Sequence, residues 1–328
     1  MQASERLTPF VSWFVLDWLR DAPDERHRVA DGSLVFVDIS GFTRLTERLA
    51  AKGKIGAEEM SGLLDVTFAA LLSVAYDYGA WLVKWGGDAV LLLFEGEDHA
   101  GRACTASHEM RTTMRSVGRL RTSVGAVALR MSIGVHSGAF DFFLVGSLHH
   151  ELVITGPAAS TTVEMETVAQ AGDIVISPAT AAALPPRSVG AAKGSGYLLA
   201  RSPRTPGRPN KSMPGEVIVD VGSCLPDITR SHLLAGGSDG EHRIVAIAFV
   251  EYSGVGEVLA KAGAEAAADA IEHVIRGCQE AAQRHHVTFW ETDVGVDGGK
   301  VMLVSGAPGS AGNDEDRILA VVRAVIDG

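Results

Sequence analysis

Two aspartates stand where a bare charge is costly. Asp38 lies near the end of the apolar run Ser33 to Ile39 (SLVFVDI), and Ser40-Gly41-Phe42-Thr43 follows as a helix start. A carboxylate at the end of a hydrophobic strand needs compensation, and a divalent cation supplies it. The backbone N–H groups of Ser40, Gly41, Phe42 and Thr43 then face whatever anion that cation carries, as helix N-termini do. Asp88 stands in VKWGGDAVLLLF, where Gly86 and Gly87 permit the positive φ of a tight hairpin. Two carboxylates on adjacent strand ends, 50 positions apart in sequence, can share two divalent ions about 3.5–4 Å apart. Oxygen ligands with phosphate completing the shell favour Mg2+ or Mn2+ over zinc. Taken singly, either acid reads equally well as a helix cap or a turn residue. The pair, in two Gly-rich settings, points to metal-dependent phosphate chemistry. His149-His150-Glu151, His285-His286 and His108-Glu109 have the residue types of metal ligands without the spacing.

The elements that must position these acids follow from periodicity. Ser33 to Ile39 is a buried strand, β-branched and aromatic, bounded by Gly32 and Gly41. From Glu58 to Tyr76, apolar residues recur at Met60, Leu63, Leu64, Phe68, Leu71, Leu72 and Ala75, the spacing of a helix face. Strands Trp81 to Trp85 and Ala89 to Phe94 flank the Gly-Gly-Asp turn; a helix near His99 to Val117 and strands Ala128 to Val135 and Glu151 to Ile154 complete the unit. This order, β-α-β-β-α-β, is that of an α+β, ferredoxin-like sandwich: an antiparallel sheet with helices on one face. Thr8 to Leu19, rich in Trp and Phe, reads as a helix that covers a core.

The same order restarts further on. Arg243 to Val250 (RIVAIAFV) has the character of Leu34 to Val37, and Glu251-Tyr-Ser-Gly254 falls where Asp38-Ile-Ser-Gly41 stood, 213 residues earlier. A helix over Glu265 to Gln283, strands over His286 to Glu291 and Lys300 to Val304, and a helix over Asp314 to Ile326 make up about half a second unit. Between the units, seven of the 12 prolines fall from Pro185 to Pro226, and Ala200 to Gly215 carries four basic residues and no acid, a composition that suits a solvated linker. The chain therefore divides into an N-terminal helix (1–30), a first unit (31–184), a Pro/Gly-rich linker with a short strand (185–241) and the N-terminal half of a second unit (242–328).

Composition bounds the partners. With 328 residues, 46% of them hydrophobic, the chain has material for about two cores. No strictly apolar run, Ala89 to Phe94 and Ile244 to Val250 included, approaches the ~18–20 residues of a membrane span, and no leader pattern opens the chain. With 40 acidic against 29 basic residues, a net charge of −11 disfavours nucleic acid and anionic membranes. The three cysteines, Cys104, Cys224 and Cys278, suggest neither a disulfide framework nor a zinc ribbon. A cytoplasmic protein that reaches phosphate-rich ligands only through metal ions is expected.

FVDISGFTRLTERL, VKWGGDAVLLLF, and RMSIGVHSGAF with LVITGPAAS together resemble the class III nucleotidyl cyclase domain, in the style of the tandem-domain, soluble adenylyl cyclase-like group. The resemblance is strong from Leu34 to about Pro178 and weaker from Arg243 to Ile326. It implies two such domains paired head to tail, with the active site between them and further C-terminal regulatory domains as partners. It also implies two metal ions, Mg2+ or Mn2+, at Asp38 and Asp88, with the backbone carbonyl of Ile39 touching one and Gly41-Phe42-Thr43 wrapping the triphosphate. The implied reaction converts ATP to 3′,5′-cyclic AMP and pyrophosphate, the ribose 3′-OH attacking the α-phosphorus in line.

Departures from the pattern are equally specific. Ser160 and Glu164 occupy the positions of the family's catalytic Asn and Arg, so the first unit lacks the amide and guanidinium that steady the transition state. In the second unit Glu251 replaces the metal aspartate, DVGVDGGKVMLV offers no clear second one, and Glu291 or Thr292 stands where an adenine-selecting Lys is expected, with Lys300 past the hairpin. Lys84, four residues before Asp88, matches an anion-binding (bicarbonate) lysine of soluble adenylyl cyclases, although the partner arginine is replaced by Val163 or Glu164. A catalytically incomplete regulatory pseudo-cyclase, or nucleotide-binding module, is the alternative reading. A diguanylate cyclase is disfavoured because Ala89-Val90 follows Gly86-Gly87-Asp88 in place of Glu-Phe.

Overall fold

The structure, a computed structural model, describes residues 2–210, 219–237, 243–296 and 298–328. In chain order the elements are α1 (Gln2–Leu7), α2 (Trp13–Asp21), β1 (His27–Ser40), α3 (Phe42–Ala50), α4 (Lys54–Asp77), β2 (Ala80–Gly86), β3 (Ala89–Glu95) and α5 (His99–Val117). There follow β4 (Arg119–Thr122), β5 (Gly125–Ala128), β6 (Arg130–Val145), β7 (Glu151–Thr155), α6 (Pro157–Val168), β8 (Ile174–Ile176), α7 (Pro178–Ala182), β9 (Val189–Lys193) and β10 (Gly196–Leu199). After α8 (Asp227–Leu234) the second unit comprises β11 (Ala246–Ser253), α9 (Val255–Ala262), α10 (Ala264–His285), β12 (Thr288–Gly295), β13 (Gly298–Ser305) and α11 (Asp314–Asp327).

The first sheet runs β2-β3-β1-β6-β8-β10-β9, with β7 paired to β6. Its β2-β3-β1-β6 core is the strand order of the expected α+β sandwich. β1 lies at the centre because both its edges are used: it pairs with β3 from Gly32 to Asp38 and with β6 from His27 to Ser40. One face packs Val35, Val37 and Ile39 against Leu45 and Leu49 of α3, Phe68 and Leu71 of α4, and Ala103, Cys104 and Met110 of α5.

The expectation of helices on one face needs correction. Leu34, Leu91, Leu93 and Phe142 on the other face are covered by Phe14 and Trp18 of α2, each only 1% exposed. The rings of Phe14 and Phe142 lie 4.8 Å apart, and the Trp18 indole donates to the Glu25 carbonyl at 3.1 Å. The N-terminal helix of the sequence reading is therefore core cover, and β1 begins at His27, inside the span assigned to it.

The 185–241 stretch also departs from its expectation as a linker with one short strand. It supplies two strands, β9 and β10, and β10 joins the first sheet through β8. Residues 201–210, though mostly exposed, are tied to the first unit: the Thr205 amide donates to the Thr105 hydroxyl of α5 at 3.1 Å and the Asn210 side-chain amide to the Ala80 carbonyl of β2 at 3.0 Å. Proline content marked where the regular ladder thins; it could not show that the backbone still found partners. Parts of this stretch, 211–218 and 238–241, lie outside the described residues.

α4 meets the length and composition criteria for a membrane span, with 24 residues and a mean hydropathy of 1.3 in its most apolar window. A search for uninterrupted apolar runs passes over it because Asp65 and small polar residues break the run. Here its Phe68, Leu71 and Ala75 are buried in the first core.

The second unit forms a sheet β11-β13-β12, with Ile271, Ile275, Cys278 and Ala282 of α10 in its core. Phe143, Val145 and Val153 of the first unit enter the same core. Polar contacts line this seam: Arg26 bridges Glu265 and Asp269 at 2.7 and 2.8 Å, and the Gly146 amide donates to Glu272 at 2.6 Å.

Candidate active site

β1 brings Asp38 opposite Ala89 on one side and Ser132 on the other. Asp88 occupies the turn before Ala89, and its carbonyl accepts the Ile39 N–H at 3.0 Å. That bond joins the two acid-bearing segments directly. Gly87, at φ +69°, makes the turn possible, and Gly41, at φ +92°, turns the chain from β1 into α3. α3 has no side-chain cap, so its first N–H groups are left for another acceptor. Ile39 is itself buried among core side chains, so only its backbone can serve the site. Ser40 and Phe42 flank the turn; the Thr43 side chain lies outside the described residues.

The electrostatics are those of an uncompensated acid pair. Burial, then the charges of Asp88 and Glu166, push the Asp38 carboxyl up to about 6. Glu166, on α6, is itself pushed up by burial, against a hydrogen bond that Ser132 donates to it at 2.9 Å. Among the described residues neither Asp38 nor Asp88 receives a side-chain hydrogen bond or a cation. No group of three or more His, Cys, Asp or Glu among those residues is arranged to hold a metal. By the chemistry of its donors alone, a set of two oxygen acids with a backbone carbonyl beside them suits a hard divalent cation whose remaining positions would be filled by water or phosphate.

Ser160 and Glu164 are not brought to Asp38. The Ser160 hydroxyl donates to the Gly156 carbonyl at 3.1 Å, and the residue lines a cavity of about 320 Å³ with Gly156, Pro157, Gly256 and Val296, between α6 and the second unit. Glu164 is exposed and accepts from the Ser195 hydroxyl at 2.6 Å.

Lys84 lies at the seam. Its ammonium donates to Glu151 Oε1 at 2.9 Å, to the Thr292 carbonyl at 2.8 Å and to the Thr292 hydroxyl at 2.7 Å. All three donors are thereby taken by protein acceptors, and the anion-binding role expected of Lys84 requires one of them to be displaced.

The second unit repeats the geometry with a Glu at the place of the first acid and a Gly at the place of the second. β11 pairs with β13 as β1 pairs with β3, with Glu251 opposite Lys300 where Asp38 stands opposite Ala89. The residue before Lys300 is Gly299, at the place of Asp88. Lys300 reaches Asp293 at 3.0 Å, and the hairpin ladder runs on to Ser253 opposite Gly298. Asp297 lies outside the described residues. Sequence reasoning missed Glu166, Glu151 and the seam role of Thr292; each is defined by strand register or inter-unit packing, which local spacing does not reveal.

Residues 25–199 match the family model described as the adenylate and guanylate cyclase catalytic domain. The chain belongs to that family. Human adenylate cyclase type 10 is 26% identical over 152 residues, 45% of this chain and 9% of that protein. The sea urchin (Strongylocentrotus purpuratus) Speract receptor is 30% identical over 151 residues, 44% of this chain and 13% of that protein. The chain thus covers only about a tenth of these curated relatives. Among solved structures, the adenylyl cyclase CyaB from P. aeruginosa superposes with a TM-score of 0.47 at 22% identity, covering 55% of this chain and 98% of that one.

Proposed function

We propose that this chain is the metal-binding part of an adenylyl cyclase, converting ATP to 3′,5′-cyclic AMP and pyrophosphate in the cytoplasm. The observation that carries the reading is the unneutralised pair Asp38 and Asp88, joined through the Ile39–Asp88 bond at the foot of an uncapped helix. Two divalent cations, Mg2+ or Mn2+, bound there would supply charge neutralisation for the triphosphate and acidify the ribose 3′-OH. Asp38, Asp88 and the Ile39 carbonyl would hold those cations. The backbone of Ser40 to Thr43 receives phosphate oxygens at the α3 N-terminus. ATP is proposed over GTP because the relatives from human, rabbit, mouse and rat are adenylate cyclases.

A second reading, a nucleotide-binding module without turnover, is favoured by Ser160 and Glu164. An acid where a guanidinium should meet developing negative charge opposes the reaction. The active site on the first reading is completed by a paired domain carrying the Asn and Arg. The two are separated by assaying cyclic AMP and cyclic GMP from Mn2+-ATP and Mn2+-GTP, with the chain alone and mixed with such a domain. Cyclic AMP from the mixture, lost in Asp38→Ala, is the expected result. ATP binding without product in both cases selects the module. ATP binding unchanged by Asp38→Ala, with no product, overturns both.

A further inference from the structure

β2, which leads into the Asp88 turn, is an edge strand, paired only with β3. Its ladder is irregular between Leu82 and Lys84, and such a bulge re-aims the side chain that follows. Here that side chain is Lys84, only 13% exposed, directed across the seam to Glu151, which is equally enclosed. Thr292 of β12 closes the group: its N–H and hydroxyl reach Glu151 Oε1 at 2.9 and 2.6 Å, while its carbonyl and hydroxyl oxygens accept from Lys84. Three segments, β2, β7 and β12, thus meet at one carboxylate oxygen.

We propose that Lys84, Glu151 and Thr292 act together as positioning residues that hold the Asp88 turn in place, so that the second unit governs divalent-metal affinity at Asp38 and Asp88 without contributing a ligand. The proposal rests on the metal reading above. Within the first unit the end of β2 is held by the Trp85 ring 4.4 Å from that of Phe68, by the Trp85 indole donating to the Gly87 carbonyl at 3.1 Å and by the Ile39–Asp88 bond; the latch adds a tie to the second unit. Asp88 lies four positions after Lys84, across the last residues of β2 and the hairpin turn, so a small tilt at Lys84 moves the carboxylate. Burial favours the neutral form of Glu151, but Lys84, His149 and the hydrogen bonds from Thr292 and Lys84 outweigh it and hold the carboxyl below its usual range. The latch is therefore charged, and its geometry is directional.

The test measures Mn2+ binding to the full chain by electron paramagnetic resonance, with thermal melting alongside. Thr292→Val removes the second unit's hydroxyl at constant shape, and Thr292→Ser restores it. Lys84→Met with Glu151→Gln removes both charges together, which avoids leaving one buried and unpaired. Expected are Mn2+ affinities about tenfold weaker in Thr292→Val and in the double variant, at the lower end of losses seen when groups supporting a metal ligand are changed. Recovery in Thr292→Ser and little change in melting temperature are also expected. Wild-type affinity in the double variant, with Asp88→Asn abolishing binding, overturns the latch and spares the metal reading. Binding that survives Asp88→Asn overturns both. Affinity lost only in proportion to stability, without recovery in Thr292→Ser, also overturns the latch.

Discussion

Asp38 must be a carboxylate in a place that resists charge. Its carboxyl is pushed up to about 6 by burial and by Asp88 and Glu166, so without metal the fold favours the protonated form more than the unfolded chain does. The linkage sign follows: a folded-state value above the ordinary one gives a contribution that is full below the unfolded value and is lost as pH rises through about 6. Metal binding runs the other way, because the cation needs the ionised acid. Mn2+ affinity is therefore expected to fall as pH drops through about 6, with one proton displaced per site. Asp38→Asn is expected to raise the melting temperature of the metal-free protein above neutral pH while abolishing Mn2+ binding. Calorimetric titration in buffers of different ionisation heat, with thermal melts of the variant, checks both; a pH-independent affinity sinks the account. At this scale the sequence was readable, since Asp38 and Asp88 each interrupt a hydrophobic pattern. Glu166 interrupts none, and its relation to Asp38 passes through Ser132 on a different strand.

Strand register decides what the elements can do. Gly134 on β6 shows how closely they are set: a Cβ there would come within 2.3 Å of the Glu166 amide and 2.7 Å of the Thr162 carbonyl. α6 therefore lies on the sheet only because that position has no side chain. Gly134→Ala is expected to cost about 1–3 kcal/mol, the usual range for overpacking, and to shift Glu166 away from Ser132. Urea unfolding measures the first and the pH dependence of Mn2+ binding the second; unchanged stability would mean that α6 gives way freely. Period and turn chemistry announced the β2–β3 hairpin and α5 closely, because each is a self-contained pattern, and found the second half of β1 while missing its start at His27. The reading of β6 stopped at Val135, whereas the strand continues to Val145. Gly134 and Gly138 look like breaks locally, yet β6 continues because β1 pairs with it along its whole length. β9 and β10 were hidden for the opposite reason, being short and weakly patterned and held by a neighbour distant in sequence.

Across the whole molecule the two units share one seam, and that seam carries ionisable groups. Glu291 on β12 is pushed up to about 7 by burial, then by Glu151 and Asp293, against Lys84 and Lys300. Because its folded-state value is raised, its contribution is present below the ordinary carboxylate range and fades as pH rises through about 7. The melting temperature is expected to decline across that interval, and Glu291→Gln to flatten the decline; an identical slope in the variant removes Glu291 as the cause. The internal repeat made two units legible from the sequence. Their closeness was not, since Lys84 and Thr292 are 208 residues apart and neither breaks its local pattern.

The register of the second hairpin sets the number of reaction centres. Gly299 and Lys300 stand where the first unit has Asp88 and Ala89, so the second hairpin sets a Lys, paired with Asp293 at 3.0 Å, opposite Glu251 where the first sets Ala89 opposite Asp38. On the reading proposed above, each chain has one metal–nucleotide centre, not two related by the repeat. The second unit's counterpart of that centre is released from ligand duty. Substitutions there can be selected for how they grip the first unit rather than for what they coordinate.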